Sequence, residues 1–264
     1  MNLPVVLSIA GSDNSAGAGA QADLKTISAL GAYAVTAITC VVAEVPGKVS
    51  AIQPIEPRMV AEQIRLLFEA FPIAAVKTGM LYSREIIAAV ADALPPGIPI
   101  VVDPVMVATS GDPLLRDDAI ALYRERLFPM AKVITPNLDE GAVLLGRSLA
   151  SLEEMRVGGR ELEQLFGTAI LLKGGHLREA IATDLLFAGG EIHEFSAPFV
   201  PGVSTHGTGC TYSAAIAAGL AHGESLLQSV AVAKRFVSQA ITHFLRWEKA
   251  GRATDALHHF APDA

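Results

Sequence analysis

The sequence predicts an α/β fold in three layers, α/β/α, built around one mostly parallel central sheet. Three observations carry that expectation. Short apolar, β-branched runs alternate with longer amphipathic stretches through most of the 264 residues, the pattern of strands joined by crossover helices. The runs Leu3–Ala10 and Ile98–Val102 are apolar almost throughout, as strands are when helices cover both faces. No long linker, fixed-period repeat or low-complexity tract interrupts the pattern, so residues 1–264 read as a single domain.

Leu3–Ala10 is the first strand, and Ala18–Leu30 a helix with Gly31 as its C-terminal stop. Tyr33–Val42 is a second strand. Arg58–Phe71 is helical, because Val60, Ile64, Leu67, Phe68 and Phe71 fall on one face. Ala74–Thr78 is a strand, Ser83–Leu94 a helix capped by Ser83, and Ile98–Asp103 a strand. Asp117–Phe128 is helical, Lys132–Thr135 a strand, Asn137–Leu145 a short helix, Leu152–Phe166 a longer one, and Ala169–Lys173 a strand. Ala182–Phe187 and Glu191–Phe195 flank Gly189-Gly190 and read as a hairpin. Two helices close the chain, Thr208–Ala221 and Ser225–Trp247. Leu226, Val230, Ala233, Val237, Ile241 and Phe244 share one face of the second. Sheets of this kind bind ligands beyond the C-terminal ends of their strands.

Composition narrows the function. The formal net charge is −7 and no basic run is present, which disfavours nucleic acid as a partner, because backbone phosphates need clustered Lys and Arg. Cys40 and Cys210 are the two cysteines, too few for a disulfide framework and without a CxxC pair for zinc. They point to a reducing compartment, by default the cytoplasm. Met1–Ala10 lacks a basic start and meets Gly11-Ser12, a strand entering a loop rather than a signal peptide. No uncharged apolar run reaches membrane-spanning length.

Five segments carry chemistry. In Ala10–Asp23, the glycines Gly11, Gly17 and Gly19 let backbone approach a ligand. The alternative is a flexible turn with Asp23 as a favourable charge in the first helical turn. Gly17–Ala22 also matches a GxGxxA dinucleotide fingerprint, although six residues separate it from the strand that this motif should follow at once. Asp103 ends a strand, placed either to bind Mg2+ directly or through water, or to open a turn with Pro104. Asn137 and Glu140 form an Asn-x-x-Glu cap-like arrangement, or else organise Mg2+ and its waters. Lys173 stands at the end of a buried strand before two glycines, where an ammonium asks for an anion such as phosphate. Gly207, Thr208, Gly209 and Cys210 open an apolar helix. Unpaired amides and the positive dipole end there suit a phosphoryl group in transfer. That position predicts a depressed thiol pKa for Cys210. The alternatives are a glycine-rich helix start with a buried cysteine, and a Cys210/His206 nucleophilic pair.

These segments, in this order, resemble the ribokinase superfamily and, within it, the hydroxymethylpyrimidine/phosphomethylpyrimidine kinases of thiamin biosynthesis. The resemblance covers nearly the whole chain. It rests on Ala10-Gly11-Ser12-Asp13 through Gly17-x-Gly19, Gln21–Thr26, Lys77-Thr78-Gly79-Met80-Leu81, Asp103-Pro104-Val105-Met106, Thr135-Pro136-Asn137-x-x-Glu140, Lys173-Gly174-Gly175-His176 and His206–Thr211. It implies a ribokinase-like fold, a cytoplasmic homodimer, and ATP with Mg2+. The substrates it implies are 4-amino-5-hydroxymethyl-2-methylpyrimidine and its monophosphate. It implies pyrimidine contacts near Gly11, Asp23, Val42, Glu44, Met80 and Val107, and catalysis at Lys173, Gly207, Thr208, Gly209 and Cys210. Nucleotide contacts fall to Lys173, Thr183, Asp184, Thr208 and Lys234, and Mg2+ to Asp103, Asn137 and Glu140. Cys210 stands where the wider superfamily carries an Asp base; a neutral thiol does not repel the phosphate of the second substrate. Asn14 and Ala16 replace the usual Pro and Gly, and Glu44 replaces the usual Gln. Gln both donates and accepts, whereas ionised Glu only accepts, so Glu44 needs a protonated ring nitrogen or a raised pKa of its own. Pyridoxal kinase is therefore the alternative. A dinucleotide-dependent oxidoreductase and a non-catalytic ligand-binding protein stand further off.

Overall fold

The computed structural model describes residues 2–106, 117–177, 180–203 and 206–261. In chain order the strands of the main sheet are β1 (Val5–Asp13), β2 (Tyr33–Val45), β3 (Lys48–Pro54), β4 (Ile73–Thr78), β5 (Ile100–Val102), β6 (Val133–Ile134), β7 (Ala169–Lys173), β8 (Ile181–Ala188) and β9 (Glu191–Pro198). Across the sheet their order is β3-β2-β1-β4-β5-β6-β7-β8-β9. The interior strands β2, β1, β4, β5, β6 and β7 pair in parallel. An antiparallel hairpin closes each edge, with β3 on β2 at one side and β8 and β9 beside β7 at the other.

The helices are α1 (Gly19–Ala29), α2 (Pro57–Ala70), α3 (Arg84–Ala93), α4 (Asp117–Leu122), α5 (Leu138–Leu145), α6 (Leu152–Phe166), α7 (Thr208–Ala221) and α8 (Leu226–Thr242). Side-chain alternation along the strands makes the layers. Leu7 and Ile9 of β1 join Ile64, Ile87, Leu144 and Leu162 in the core under α2–α6. Val6, between them, faces the opposite core with Ile27, Ile216 and Val230 of α1, α7 and α8. Ser83, Asn137, Ser151 and Ser225 each accept a hydrogen bond from an amide in the first turn of the helix they precede. α6 lies so close on β8 that a Cβ at Gly159 would stand 2.0 Å from the Phe187 ring. Among the described residues, no helix is long and apolar enough to cross a membrane.

Two parts differ from the sequence reading. β3 was not expected, because most of Lys48–Pro54 is exposed and an edge strand without a buried face shows no period-two pattern. The last helix ends at Thr242 rather than Trp247. Leu245–Lys249 (β10) and Arg252–Ala256 (β11) instead form a separate hairpin turning at Ala250 and Gly251, both at positive φ. Every residue of β10 is exposed, so nothing in the apolar pattern marked the change from helix to strand.

Candidate active site

The C-terminal edge of the sheet carries a cavity of about 400 Å³. One wall is the loop that leaves β1. Asp13 is buried, and its carboxylate accepts from the amides of Ser15 (2.7 Å), Gly17 (3.1 Å) and Ala18 (2.8 Å), while His206 Nε2 lies 3.0 Å away. Burial works against the ionised form, but His206, Ser15 and Ala18 outweigh it and hold this carboxyl at about 2. The loop thus wraps an anion, and it rests directly on the start of α7. A Cβ at Gly207, which has φ 83°, would stand 1.8 Å from the Gly17 carbonyl oxygen.

Gly207 is the N-cap of α7, and no side chain caps that helix. Its first amides are therefore available to a ligand. A Cβ at Gly209 would lie 3.2 Å from Lys173 Nζ and 3.7 Å from Asp103 Oδ2, so the turn faces both side chains. Lys173 donates to Asp103 Oδ1 at 3.0 Å, and Asp103 also accepts from Thr135 and Ser213. Burial disfavours the Asp103 carboxylate, yet Lys173 and then Lys77 hold it below its ordinary pKa. Asn137 and Glu140 make the full capping box of α5, and both also line the cavity, so the cap and the cavity wall are the same pair. Burial, eased by Lys173 and aggravated by Asp103, raises Glu140 to about 8. At the far side, Lys234 donates to Asp184 Oδ2 (2.7 Å) and to the Ala182 carbonyl (2.9 Å), while Gly174 N–H donates to Asp184 Oδ1.

The cavity brings together most of the expected residues. Gly11, Val42, Glu44 and Met80 line the part over β1 and β2; Asp103, Asn137, Glu140, Lys173 and Gly207–Cys210 line the middle; Asp184 and Lys234 line the part over β8.

The phosphomethylpyrimidine kinase family model matches residues 13–255 of this sequence. The chain belongs to that family. A hydroxymethylpyrimidine/phosphomethylpyrimidine kinase of Rhizobium meliloti (strain 1021) is 46% identical over 258 residues, 97% of each chain. Among solved structures, a pyridoxal kinase from Staphylococcus aureus in complex with ADP has a TM-score of 0.89 at 33% identity, covering 99% of this chain and 95% of that one. A phosphomethylpyrimidine kinase from Clostridium difficile 630 has a TM-score of 0.78 at 36% identity, covering 90% and 99%.

In this member of the phosphomethylpyrimidine kinase family, three expectations need correction. Asp23 does not line the cavity: it is fully buried, bound by Lys77 Nζ at 2.8 and 2.9 Å and by Ser8 Oγ at 2.5 Å. Thr183 does not line it either. Strand alternation turns Ala182 and Asp184 toward the cavity, and Thr183 pairs with Ser196 of β9 at 3.0 Å. The Cys210 thiol is not depressed: burial pushes it up to about 11, outweighing the nearby Lys77 charge. Val107 lies outside the described residues.

The sequence reading gives Lys77 and Asp13 no role of their own and weighs His206 only as a partner of Cys210; in the structure His206 lies against Asp13 instead. Lys77 is fully buried in β4. Burial disfavours its ammonium, yet Asp23 lifts its pKa above the ordinary range. Like Lys173, Lys77 is a cation on a buried strand and needs an anion beside it. Asp13 and His206 gather with Glu44 so that one ligand atom from each lies within 4.8 Å of the others.

Proposed function

We propose that the protein transfers the γ-phosphoryl group of ATP to 4-amino-5-hydroxymethyl-2-methylpyrimidine and then to its monophosphate. The observation that carries this reading is the uncapped start of α7, Gly207–Cys210, facing Lys173 and Asp103 on the wall of one cavity. Family membership supports the substrate class.

The pyrimidine ring lies among Gly11, Val42, Met80 and Glu44, with its hydroxymethyl group toward Cys210. The amides of Gly207–Cys210 receive the charge that spreads over the transferring phosphoryl oxygens, and Lys173, beside that turn, neutralises it. Asp184 and Lys234 border the nucleotide. Asp103, Asn137 and Glu140 offer only hard oxygen donors on the cavity wall, so they fit Mg2+ and would hold it. When bound, the ion neutralises phosphate oxygens. With its pKa near 11, Cys210 is a neutral thiol at neutral pH. It orients the attacking hydroxyl without acting as the base: as the new P–O bond forms and the bond to ADP breaks, the hydroxyl proton passes to an oxygen of the transferred phosphoryl group. A neutral thiol also does not repel the second substrate's phosphate.

Two observations favour a second reading, phosphorylation of pyridoxal. The pyridoxal kinase fold match is closer than the Clostridium match, and Glu44 departs from the amide expected at its position. ATP consumption with Mg2+, offering hydroxymethylpyrimidine, its monophosphate and pyridoxal in parallel, tests both. Turnover of the two pyrimidines supports the first reading; turnover of pyridoxal alone replaces it with the second.

A further inference from the structure

The C-terminal segment lies behind the start of α7, and one buried histidine joins the two. His259 is 4% exposed, and its Nε2 lies 3.0 Å from Thr211 Oγ1, a hydrogen bond in either ring tautomer. Thr211 is fully buried in the first turn of α7, and its N–H donates to the Gly207 carbonyl at 2.9 Å. The segment is anchored on both sides of the histidine. His258 N–H donates to the Ala240 carbonyl of α8 at 3.1 Å, and Leu257 is buried. Lys25 stands close enough to act on the imidazole, and its Nζ donates to the carbonyl of Ala16, in the loop that rests on Gly207. Burial first, then Lys25, pushes His259 down to about 4, so the ring is neutral at working pH. A buried neutral imidazole costs desolvation energy that its hydrogen bond only partly offsets. An aliphatic side chain would fill the space with less penalty, so the bond to Thr211 is what the histidine adds.

We propose that His259 is a positioning residue for phosphoryl transfer: by bonding Thr211, the C-terminal segment fixes the first turn of α7 so that the amides of Gly207–Cys210 converge on the phosphate. This rests on the reading of that turn as the phosphate site. Preorganised donors stabilise developing charge only while they stay aligned, and a misplacement of about 1 Å can cost about a hundredfold in rate.

The test compares H259A, H259Q, T211V and H258A in the full chain. Each is measured for kcat, for KM of ATP and of hydroxymethylpyrimidine, and for folding by circular dichroism. H259A and T211V are expected to lower kcat about tenfold and to raise KM for ATP, with KM for the pyrimidine unchanged. H259Q, whose amide reaches the Nε2 position, restores kcat to within about threefold. H258A leaves kcat unchanged. A folded H259A with wild-type kcat overturns the proposal. So does a loss shared equally by H259A, H259Q and H258A, which assigns the segment a packing role alone. Should H259A not fold, T211V, nearly the same shape without the hydroxyl, decides, and full activity in T211V overturns the proposal. Wild-type protein that consumes no ATP with any of the three substrates removes the kinase reading, and this proposal with it; an active wild type beside an equally active H259A removes this proposal alone.

Discussion

Glu44 lines the cavity, and in the proposed reading it is the residue that faces the heterocycle. Burial, and then the charge of Asp13, raise its carboxyl above the ordinary range. A protonated carboxyl both donates and accepts, as an amide does. The aminopyrimidine edge presents one donor beside one acceptor, so ring and Glu44 together hold one proton. Binding therefore takes up a proton once the pH exceeds the pKa values of both partners. KM for hydroxymethylpyrimidine is expected to rise about tenfold per pH unit there, and E44Q to flatten that rise. Parallel profiles for the two proteins would place the ring away from Glu44. Cys210 carries a second expectation. C210A slows phosphorylation of the alcohol about tenfold but leaves the monophosphate within about threefold, because a phosphate oxygen needs no thiol to orient it. Equal losses in single-turnover assays of the two steps would contradict that role. The buried Lys77–Asp23 pair belongs to stability: D23A strands an ammonium that is 0% exposed, and denaturant unfolding is expected to show a loss of about 3 kcal/mol.

At the scale of elements, the contact between α6 and β8 sets two effects against each other. Replacing Gly159 with Ala removes a glycine from a helix interior, worth about 1 kcal/mol in the helix's favour. The new Cβ would also meet the fully buried Phe187 ring at 2.0 Å, and overpacking a core costs about 1–3 kcal/mol. The clash is larger, so G159A is expected to lower the melting temperature; a rise would mean that Phe187 moves aside at no cost. Elements like these were legible to the degree that burial wrote a pattern into them. β1, β5 and β7 are sheathed on both faces and read as unbroken apolar runs, and Ser83 and Asn137 announced their helices through side-chain chemistry. β3, β10 and β11 bury almost nothing, so no periodicity betrayed them. The site followed a similar rule. Lys173 stands out because an ammonium at a buried strand end has no packing explanation, and Asp103 because it ends a strand where ligands bind, although a turn with Pro104 explains it as well. The pairing of Asp13 with His206 is not legible in the sequence, because they are 193 residues apart and only the folded sheet makes them neighbours.

The whole molecule is acidic, with a formal net charge of −7, and its cavity carries both signs: Lys173, Lys234 and the amide end of α7 stand beside Asp103, Glu140 and Asp184. In the proposed reading, local donors would hold an anionic nucleotide against an unfavourable overall field. Lys173 balances Asp103 and Glu140 at once. K173M is expected to lower kcat about a hundredfold and to weaken ADP binding in calorimetry, and unchanged binding would place the phosphates elsewhere. The meeting of the Gly17 loop with Gly207 also has a consequence for how the protein is made. β1 is synthesised before α7, but it lies inside the sheet between β2 and β4, and the loop it carries finds its partner only when α7 has been synthesised. Contacts so distant in sequence form slowly, because a long loop must close before they contribute. A nascent chain halted ahead of α7 would hold apolar strands with one face uncovered, a target for chaperones rather than a partial enzyme.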